Sequence, residues 1–297
     1  MDIQQLRYFV GVAEAGSISR AAVRLGVSQP TVSQQIQRIE EHLGVLLFDR
    51  LGRGVSLTES GDALLPRARD ILERMRGIES ELLAEVGAGR GRLSIGAIPT
   101  MAPYMLPGAI AGLRRAYPEC ELDIREDLTE RLIERVADGT LDIGVMSTPV
   151  DHPLIEMRVV ARERLVVVAS SKSPLCDAGV ISLADLRTEA AVTLHEMHCL
   201  GRQISEFCSS RRVAGIVSCR MTQIGTLLEF VRMGLGVSIV PELVSRRDGS
   251  KGRRYLPFNR GGPSREIAVA TRKGRSIGRL ASAFIDGLRS HLKAELG

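Results

Sequence analysis

No stretch of this 297-residue sequence approaches the roughly 18 consecutive apolar residues that a membrane-spanning helix requires. The first twenty residues break their apolar pattern with Asp2, Gln4, Gln5, Arg7 and Glu14, so no secretory leader is legible. These absences predict a soluble, cytoplasmic chain that keeps its N-terminus and has no membrane partner. No two cysteines form a CxxC pair, which leaves zinc without an evident site and sets the metal and cofactor expectation at none. Five cysteines are an odd number, so reduced thiols are expected rather than a disulfide framework. Excess positive charge is also missing from the N-terminal region, where residues 1–60 hold six Arg against six Asp or Glu. The net +5 and isoelectric point near 9.2 arise further on, where Arg246 to Arg279 holds eleven Lys or Arg against Asp248 and Glu266. A solvated loop surface is the favoured reading of that excess, ahead of a second phosphate-contacting face. Charge alone therefore does not establish DNA binding.

Apolar residues make up 44% of the chain at a mean hydropathy of +0.05, enough to build real cores. The length exceeds one core of ordinary size and predicts roughly two domains. Leu6, Phe9, Val10 and Ala13 recur at helical spacing and predict a helix from Ile3 to Ala15. Gly16 stops it, and Ser17 caps a short second helix from Ile18 to Leu25, whose Ala21 and Ala22 are small enough for another helix to cross closely. Gly26 permits a tight turn. Ser28 then caps a third helix that accepts Pro30 in its first turn, where no intrahelical hydrogen bond is lost. On that helix Val32, Ile36, Ile39 and Leu43 are expected to point inward. The opposite face carries Thr31, Gln34, Gln35 and Arg38, side chains able to pair with base edges in a major groove. A solvated amphipathic helix would alternate in the same way, so spacing leaves both readings open.

The wording of the segment favours the first. Leu6-Arg7-Tyr8-Phe9, Gly16-Ser17, Ala21-Ala22 and the run from Leu25 to Ile36 are followed by Glu40, Leu43-Gly44, Leu47-Phe48-Asp49-Arg50 and Leu57-Thr58. Together they closely resemble the DNA-binding domain of LysR-type transcriptional regulators. The resemblance implies a winged helix-turn-helix over 1–58 that binds promoter DNA, with RNA polymerase a further candidate partner. It places Gln29, Pro30, Thr31, Ser33 and Gln34 near the bases, and Arg50 and Arg53 of the wing near phosphate; Gln35 and Arg38 on the same outer face, and Ser28 at the cap, complete the candidate DNA-binding set.

Past Thr58, the residues Leu64, Ala68, Ile71, Met75, Ile78 and Leu82 alternate steps of four and three, the seam of a helix that pairs with another helix. A helix docked on its own domain would look similar. No neighbouring helix in the sequence is an evident partner, so dimerisation is favoured, which also presents two DNA half-sites by two-fold symmetry. Pro66 is expected to kink this helix or cost something locally. Gly87, Gly89 and Gly91 with Arg90 and Arg92 read as a hinge, making 59–91 a linker helix plus hinge. The assembly expectation is a homodimer, extending to a homotetramer.

From Leu93 onward, short β-branched runs alternate with helical stretches, the pattern of an α/β domain with a largely parallel sheet. Strands are predicted at 93–97, 122–126, 143–146, 165–169, 191–194, 237–240 and 267–271. Helices are predicted near 107–116, 130–137, 200–210, 224–233 and 277–292. The region resembles the regulatory domain of the same family, with two lobes like a periplasmic binding protein. By that resemblance 92–297 divides into a first lobe of about 92–163 and 269–297 and a second of about 164–268. The whole chain then reads as α/β, a winged helix-turn-helix and linker helix followed by a two-lobed periplasmic-binding-protein-like regulatory domain.

Within His195-Glu196-Met197-His198-Cys199-Leu200-Gly201-Arg202, continuing to Phe207-Cys208, two thiols stand nine positions apart around a helical pattern. Helical rise alone would separate them by roughly 13 Å, whereas a disulfide needs Cα atoms within about 7 Å. A bridge between them would therefore require the helix to melt. A helix N-terminus, His198 and Arg202 would each favour a thiolate at Cys199, and thiolate is the form that peroxide oxidises. The plainer alternative is that both thiols are buried small hydrophobes, as expected for Cys120, Cys176 and Cys219. The segment resembles the redox loop of the peroxide-sensing OxyR branch of the family, and Ile98-Pro99-Thr100 with Pro103-Tyr104-Met105-Leu106-Pro107 resembles that branch's peroxide-pocket loop. The resemblance implies that Cys199 attacks peroxide, Cys208 resolves it, and Thr100, Thr129 and His198 place the oxidant. It offers Arg265 as a weaker candidate for stabilising the thiolate. Gly201-Arg202 departs from that branch, where a basic-acidic pair is expected.

The function implied is a hydrogen-peroxide-sensing activator switched by a reversible Cys199–Cys208 disulfide, and not an enzyme. A second reading keeps the regulator but has a small organic effector in the interlobe cleft, with the thiols incidental. A cysteine hydrolase using Cys199 and a histidine base conflicts with the DNA-binding domain. A secreted solute-binding protein conflicts with the lack of a leader.

Overall fold

The computed structural model describes residues 1–51, 54–85, 91–213 and 217–297, with backbone alone for 50, 51 and 79–85. The chain divides into two compact units near residue 86. Among the described residues no helix is long and apolar enough to cross a membrane.

The first unit is built from helices α1 (Ile3–Ala15), α2 (Ile18–Leu25) and α3 (Gln29–Leu43), a hairpin of β1 (Phe48–Leu51) and β2 (Gly54–Leu57), and the long α4 (Glu59–Glu85). Its helix boundaries follow from local chemistry. Asp2 and Gln5 form a capping box at the start of α1, and Gly16 in the left-handed region (φ 60°) ends it. Ser17 caps α2, and Ser28 accepts from the Thr31 amide at the start of α3. Phe9, Val12, Ala21, Val32 and Ile39 are all fully buried in the core that results. Leu43 departs from expectation. As the last residue of α3 it lies beyond that core and stays 40% exposed.

Helix α4 continues through Pro66, and it corrects one expectation. Its first half has a partner within its own domain, since Leu64, Leu65, Ala68 and Leu72 pack on the core formed by α1 to α3. The sequence could not reveal this partner because α1 precedes α4 by more than forty residues. Ile71 and Ile78 remain exposed, at 39% and 52%. Leu82 lies outside the described side chains, and Gly87, Gly89 and Arg90 lie outside the described residues.

The second unit contains β3 (Arg92–Ala97), α5 (Ala102–Ala116), β4 (Glu121–Glu126), α6 (Thr129–Ala137), β5 (Ile143–Ser147), β6 (Ile155–Ser170), β7 (Ala191–Leu194), α7 (Cys199–Ser210), β8 (Val217–Met221), α8 (Ile224–Arg232), β9 (Ser238–Pro241), α9 (Glu242–Arg247), β10 (Arg253–Leu256), β11 (Ser264–Arg272) and α10 (Arg279–Leu296). The sixteen-residue β6 joins two lobes. Its residues 155–164 pair with β11, in a sheet that continues through β5 and β3 to β4, and residues 165–170 pair with β9 and β10. One core, around Ile95, Ile143, Val269, Phe284 and Leu288, fills the first lobe; another, around Val167, Val192, Leu227 and Val231, fills the second.

The sheet is mixed rather than largely parallel. The β3–β4, β3–β5 and β7–β8 pairs are parallel, but every pairing of β6 and β11 is antiparallel. The reason is topological, because β6 and β11 carry the chain out of the first lobe and back into it in opposite directions. Four elements escaped the periodicity: the first ten residues of β6, the strands β8 and β10, and helix α9.

The basic excess from Arg246 to Arg279 is not simply a solvated surface. The Arg253 side chain is 7% exposed and bonded to Asp248 and Glu229, and the Arg265 side chain is wholly buried against Glu163. Arg246, Arg247 and Arg275 pair with Glu242, Glu295 and Asp142. Acids elsewhere in the chain neutralise much of the run, which a count along the sequence cannot register.

Candidate functional site

Thr100 sits just before α5, where the β3 strand end turns into that helix, and Thr129 opens α6. His198 is the N-cap residue of α7, and Cys199 is its first residue. The fold brings these four together in one narrow crevice, lined also by Ile98, Pro99 and Leu128, with about 150 Å³ of free space including its open side. Thr100, Thr129 and His198 are buried at 2%, 7% and 7% exposure, while Cys199 is half-buried and packs on the first-lobe core.

Arg265 reaches the crevice through Thr100. Its guanidinium donates to Thr100 Oγ1 (3.0 Å) and to the Thr100 carbonyl (3.1 Å), and pairs with Glu163 at 2.8 Å. Glu163 in turn accepts from the Leu243 amide at 2.8 Å. This buried pair satisfies the charges of two strands with fixed geometry. Because Thr100 Oγ1 accepts from an arginine, which has only donors, its own hydroxyl proton is free to be donated elsewhere. Sequence reading missed Glu163. Its only signal was an acid between Arg162 and Arg164, just before the apolar run from Leu165 to Ala169.

Burial pushes the His198 imidazole below its ordinary value, against the opposing effect of a hydrogen bond to the Thr222 backbone. The ring is therefore neutral near pH 7. Its Nε2 is buried with no hydrogen-bond partner among the described residues. With the other nitrogen donating to Thr222, Nε2 carries a lone pair that can accept a proton. Arg202, expected to favour a thiolate at Cys199, points elsewhere: it pairs with Glu130 of α6 at 3.0 Å and donates to the Glu196 carbonyl at 3.2 Å.

Cys208 lies near the other end of α7 and packs on the second-lobe core. Burial pushes its thiol up. Both cysteines are free thiols, separated by nine helical residues and thus by roughly 13 Å of rise. Gly201 stands where a Cβ would lie 2.4 Å from the His195 carbonyl oxygen, so only glycine lets α7 dock this closely on the turn that carries His198.

In the first unit, Gln29, Pro30, Gln34 and Arg38 are exposed on α3, and Thr31, Ser33 and Gln35 are partly so. Ser28 is committed to capping α3. Gln35 Oε1 accepts from Gln5 Nε2 at 3.1 Å, and Gln5 Oε1 accepts from the Asp2 amide at 2.9 Å. Since a backbone amide can only donate, this relay fixes both side-chain amides and leaves the Gln35 NH2 group as its outward donor. Glu40 accepts from the amides of Leu47 and Phe48 and anchors the wing to α3. The Arg50 side chain and all of Arg53 lie outside the described residues. No cluster of metal-ligating side chains occurs among the described residues.

A helix-turn-helix unit followed by a two-lobed α/β unit defines a DNA-binding regulator with a separate regulatory domain. Residues 3–62 match the bacterial regulatory helix-turn-helix protein, lysR family, and residues 87–293 match the LysR substrate binding domain. The chain belongs to the LysR family, whose members are transcription regulators rather than enzymes. Its sequence is 32% identical to the hydrogen peroxide-inducible genes activator of Haemophilus influenzae, over 98% of this chain and 99% of that protein. A cysteine-to-aspartate variant of full-length OxyR from Pseudomonas aeruginosa is similar at a TM-score of 0.80 and 28% identity, over 97% of this chain and 98% of that one. A cysteine-to-serine variant of OxyR from Corynebacterium glutamicum, bound to hydrogen peroxide, has a TM-score of 0.65 and 28% identity, over 99% and 94%.

Proposed function

We propose that this LysR-family regulator is a hydrogen-peroxide-sensing activator switched by a reversible Cys199–Cys208 disulfide. The observation that carries the reading is the crevice itself, in which Cys199 at a helix N-terminus meets two buried threonines and a buried neutral histidine. The crevice is too narrow for an organic effector, whose sites usually offer ~300–1,000 Å³. The C. glutamicum relative, described as peroxide-bound, lends the same support.

In this reading the Cys199 thiolate attacks one peroxide oxygen and the O–O bond breaks. That oxygen stays on sulfur as a sulfenic acid, and the other leaves as hydroxide and is protonated to water. Thr100 and Thr129 position the oxidant and His198 Nε2 handles a proton. The Cys208 sulfur then attacks the Cys199 sulfur, forming the S–S bond as the S–O bond breaks and a second water leaves. Peroxide is reduced by two electrons and the two thiols are oxidised. Because the thiols begin on opposite ends of α7, the helix must unwind, and the lobes repack around it.

The regulated element is promoter DNA, contacted by α3 and the wing, in a cytoplasmic compartment that keeps the thiols reduced. Ile71 and Ile78 on α4 supply an apolar stripe for a second copy of the chain, and two such dimers make a tetramer. The decisive experiment is peptide mass spectrometry of reduced protein exposed briefly to low peroxide. A Cys199–Cys208 crosslink that forms within seconds and reverses with dithiol is expected. Bulk thiol oxidation with Cys199 left reduced would overturn peroxide sensing and favour an organic effector in the interlobe cleft.

A further inference from the structure

Helix α7 belongs to the second lobe, where Leu200, Ile204 and Cys208 pack, yet its first turn and a half is tied to the first lobe by two side chains. Arg202 Nη2 bonds Glu130 Oε1 at 3.0 Å, on the residue that follows Thr129 of the crevice. Gln203 Nε2 donates to the Thr148 carbonyl at 2.6 Å. Thr148 is itself held, since its hydroxyl donates to Glu266 Oε2 at 2.6 Å and Glu266 Oε1 accepts from Arg162 at 2.7 Å, joining β6 and β11. Arg202 and Gln203 stand three and four positions after Cys199, so they lie one turn along on the same face of α7. They and Cys199 are thus presented to the first lobe together.

Bringing Cys199 from roughly 13 Å to within about 7 Å of Cys208 requires this turn to unwind. It cannot unwind while Arg202 and Gln203 keep their partners. We propose that Arg202 with Glu130, and Gln203 with Thr148, are positioning contacts that fasten the start of α7 to the first lobe and set how fast the sulfenic acid formed at Cys199 is released to Cys208. The proposal rests on the thiol-switch reading above. It assigns these residues to the second step, in which the S–S bond forms and water leaves, and not to the attack on peroxide.

The test compares the full chain with Glu130→Gln, Arg202→Ala, Gln203→Leu and the charge-reversed pair Glu130→Arg with Arg202→Glu. Crosslink formation after a hydrogen peroxide pulse is followed by acid quench, alkylation and mass spectrometry. Sulfenic acid formation at Cys199 is followed separately, in a Cys208→Ser background, with a carbon-nucleophile probe. Crosslinking is expected to quicken about two- to five-fold in the variants that cut the exposed Arg202–Glu130 pair, and to return toward wild type in the reversed pair. Sulfenic acid formation should stay within two-fold. Raising salt from 0.05 to 0.5 M should quicken crosslinking in the wild type but not in Glu130→Gln. Equal acceleration of both steps would overturn the assignment, as would crosslinking at wild-type rates in variants whose 199–210 amides exchange faster with deuterium. If the wild type itself forms no crosslink, the thiol switch has failed. If it does and the variants match it, only the positioning role has failed.

Discussion

Arg265 holds Thr100 by both of its oxygens, donating to the side-chain hydroxyl at 3.0 Å and to the backbone carbonyl at 3.1 Å, while its charge is met by Glu163. Both side chains of the ion pair are wholly buried. Removing one partner strands the other. Arg265→Met is expected to cost on the order of 3–5 kcal/mol in urea unfolding, whereas Arg265→Met with Glu163→Leu should recover most of that loss. A single variant as stable as wild type would show that the pair is not the strut described.

A second buried cluster predicts acid sensitivity. Asp248 accepts from Arg253 through both oxygens, at 2.6 and 2.7 Å, and also from the Tyr255 hydroxyl. The Arg253 hydrogen bonds in particular lower its carboxyl from 3.8 to about 2. A carboxyl depressed by folding stabilises the protein above its unfolded value and loses that contribution as pH falls through the folded one. The window is therefore about pH 4 down to pH 2, and the contribution on the order of 2 kcal/mol. Asp248→Asn should flatten the unfolding midpoint across that window. An unchanged acid limb would mean the cluster does not set it.

Gly201→Ala places a methyl group 2.4 Å from the His195 carbonyl oxygen, a backbone atom that cannot rotate away. The turn from His195 to His198 must shift, at a cost of about 1–3 kcal/mol. Cys199 moves with it. Alkylation of Cys199 in reduced protein should accelerate relative to Cys120, which lies outside the turn, and identical ratios in the two proteins would argue against this coupling.

If α3 contacts promoter DNA as proposed, the relay from Asp2 through Gln5 to Gln35 predicts what Gln35 would read. A donor-only amide selects an acceptor, such as a purine N7, rather than the paired donor and acceptor of bidentate adenine recognition. Duplexes selected from a randomised pool by the wild type should lose about 1–3 kcal/mol of binding to Gln35→Ala. Gln5→Ala should lose part of it, with preference weakened at the same base. A change spread evenly over all positions would point to phosphate contact instead.

The features that were legible in the sequence are those whose causes lie within one helical segment. Asp2, Ser17 and Ser28 cap, Gly16 and Gly26 terminate, and the 3.6-residue period places Phe9, Val32 and Ile39 inside. The same locality put Cys199 at the start of α7 and Cys208 near its end. Resemblance to the family then added Thr100, Thr129 and His198, which no period could connect. Strand β8 and the first part of β6 were not legible, because their burial alternates weakly or not at all.

What the sequence by itself determined is therefore the set of local elements and the spacing of the two thiols, since hydrogen bonds within a helix join residues three and four apart. Only the tertiary structure decided which charges meet. Arg265 finds Glu163 across 102 positions, and Arg202 finds Glu130 across 72. Such partners are chosen by where strands cross and lobes abut, and charge in one dimension carries no record of that.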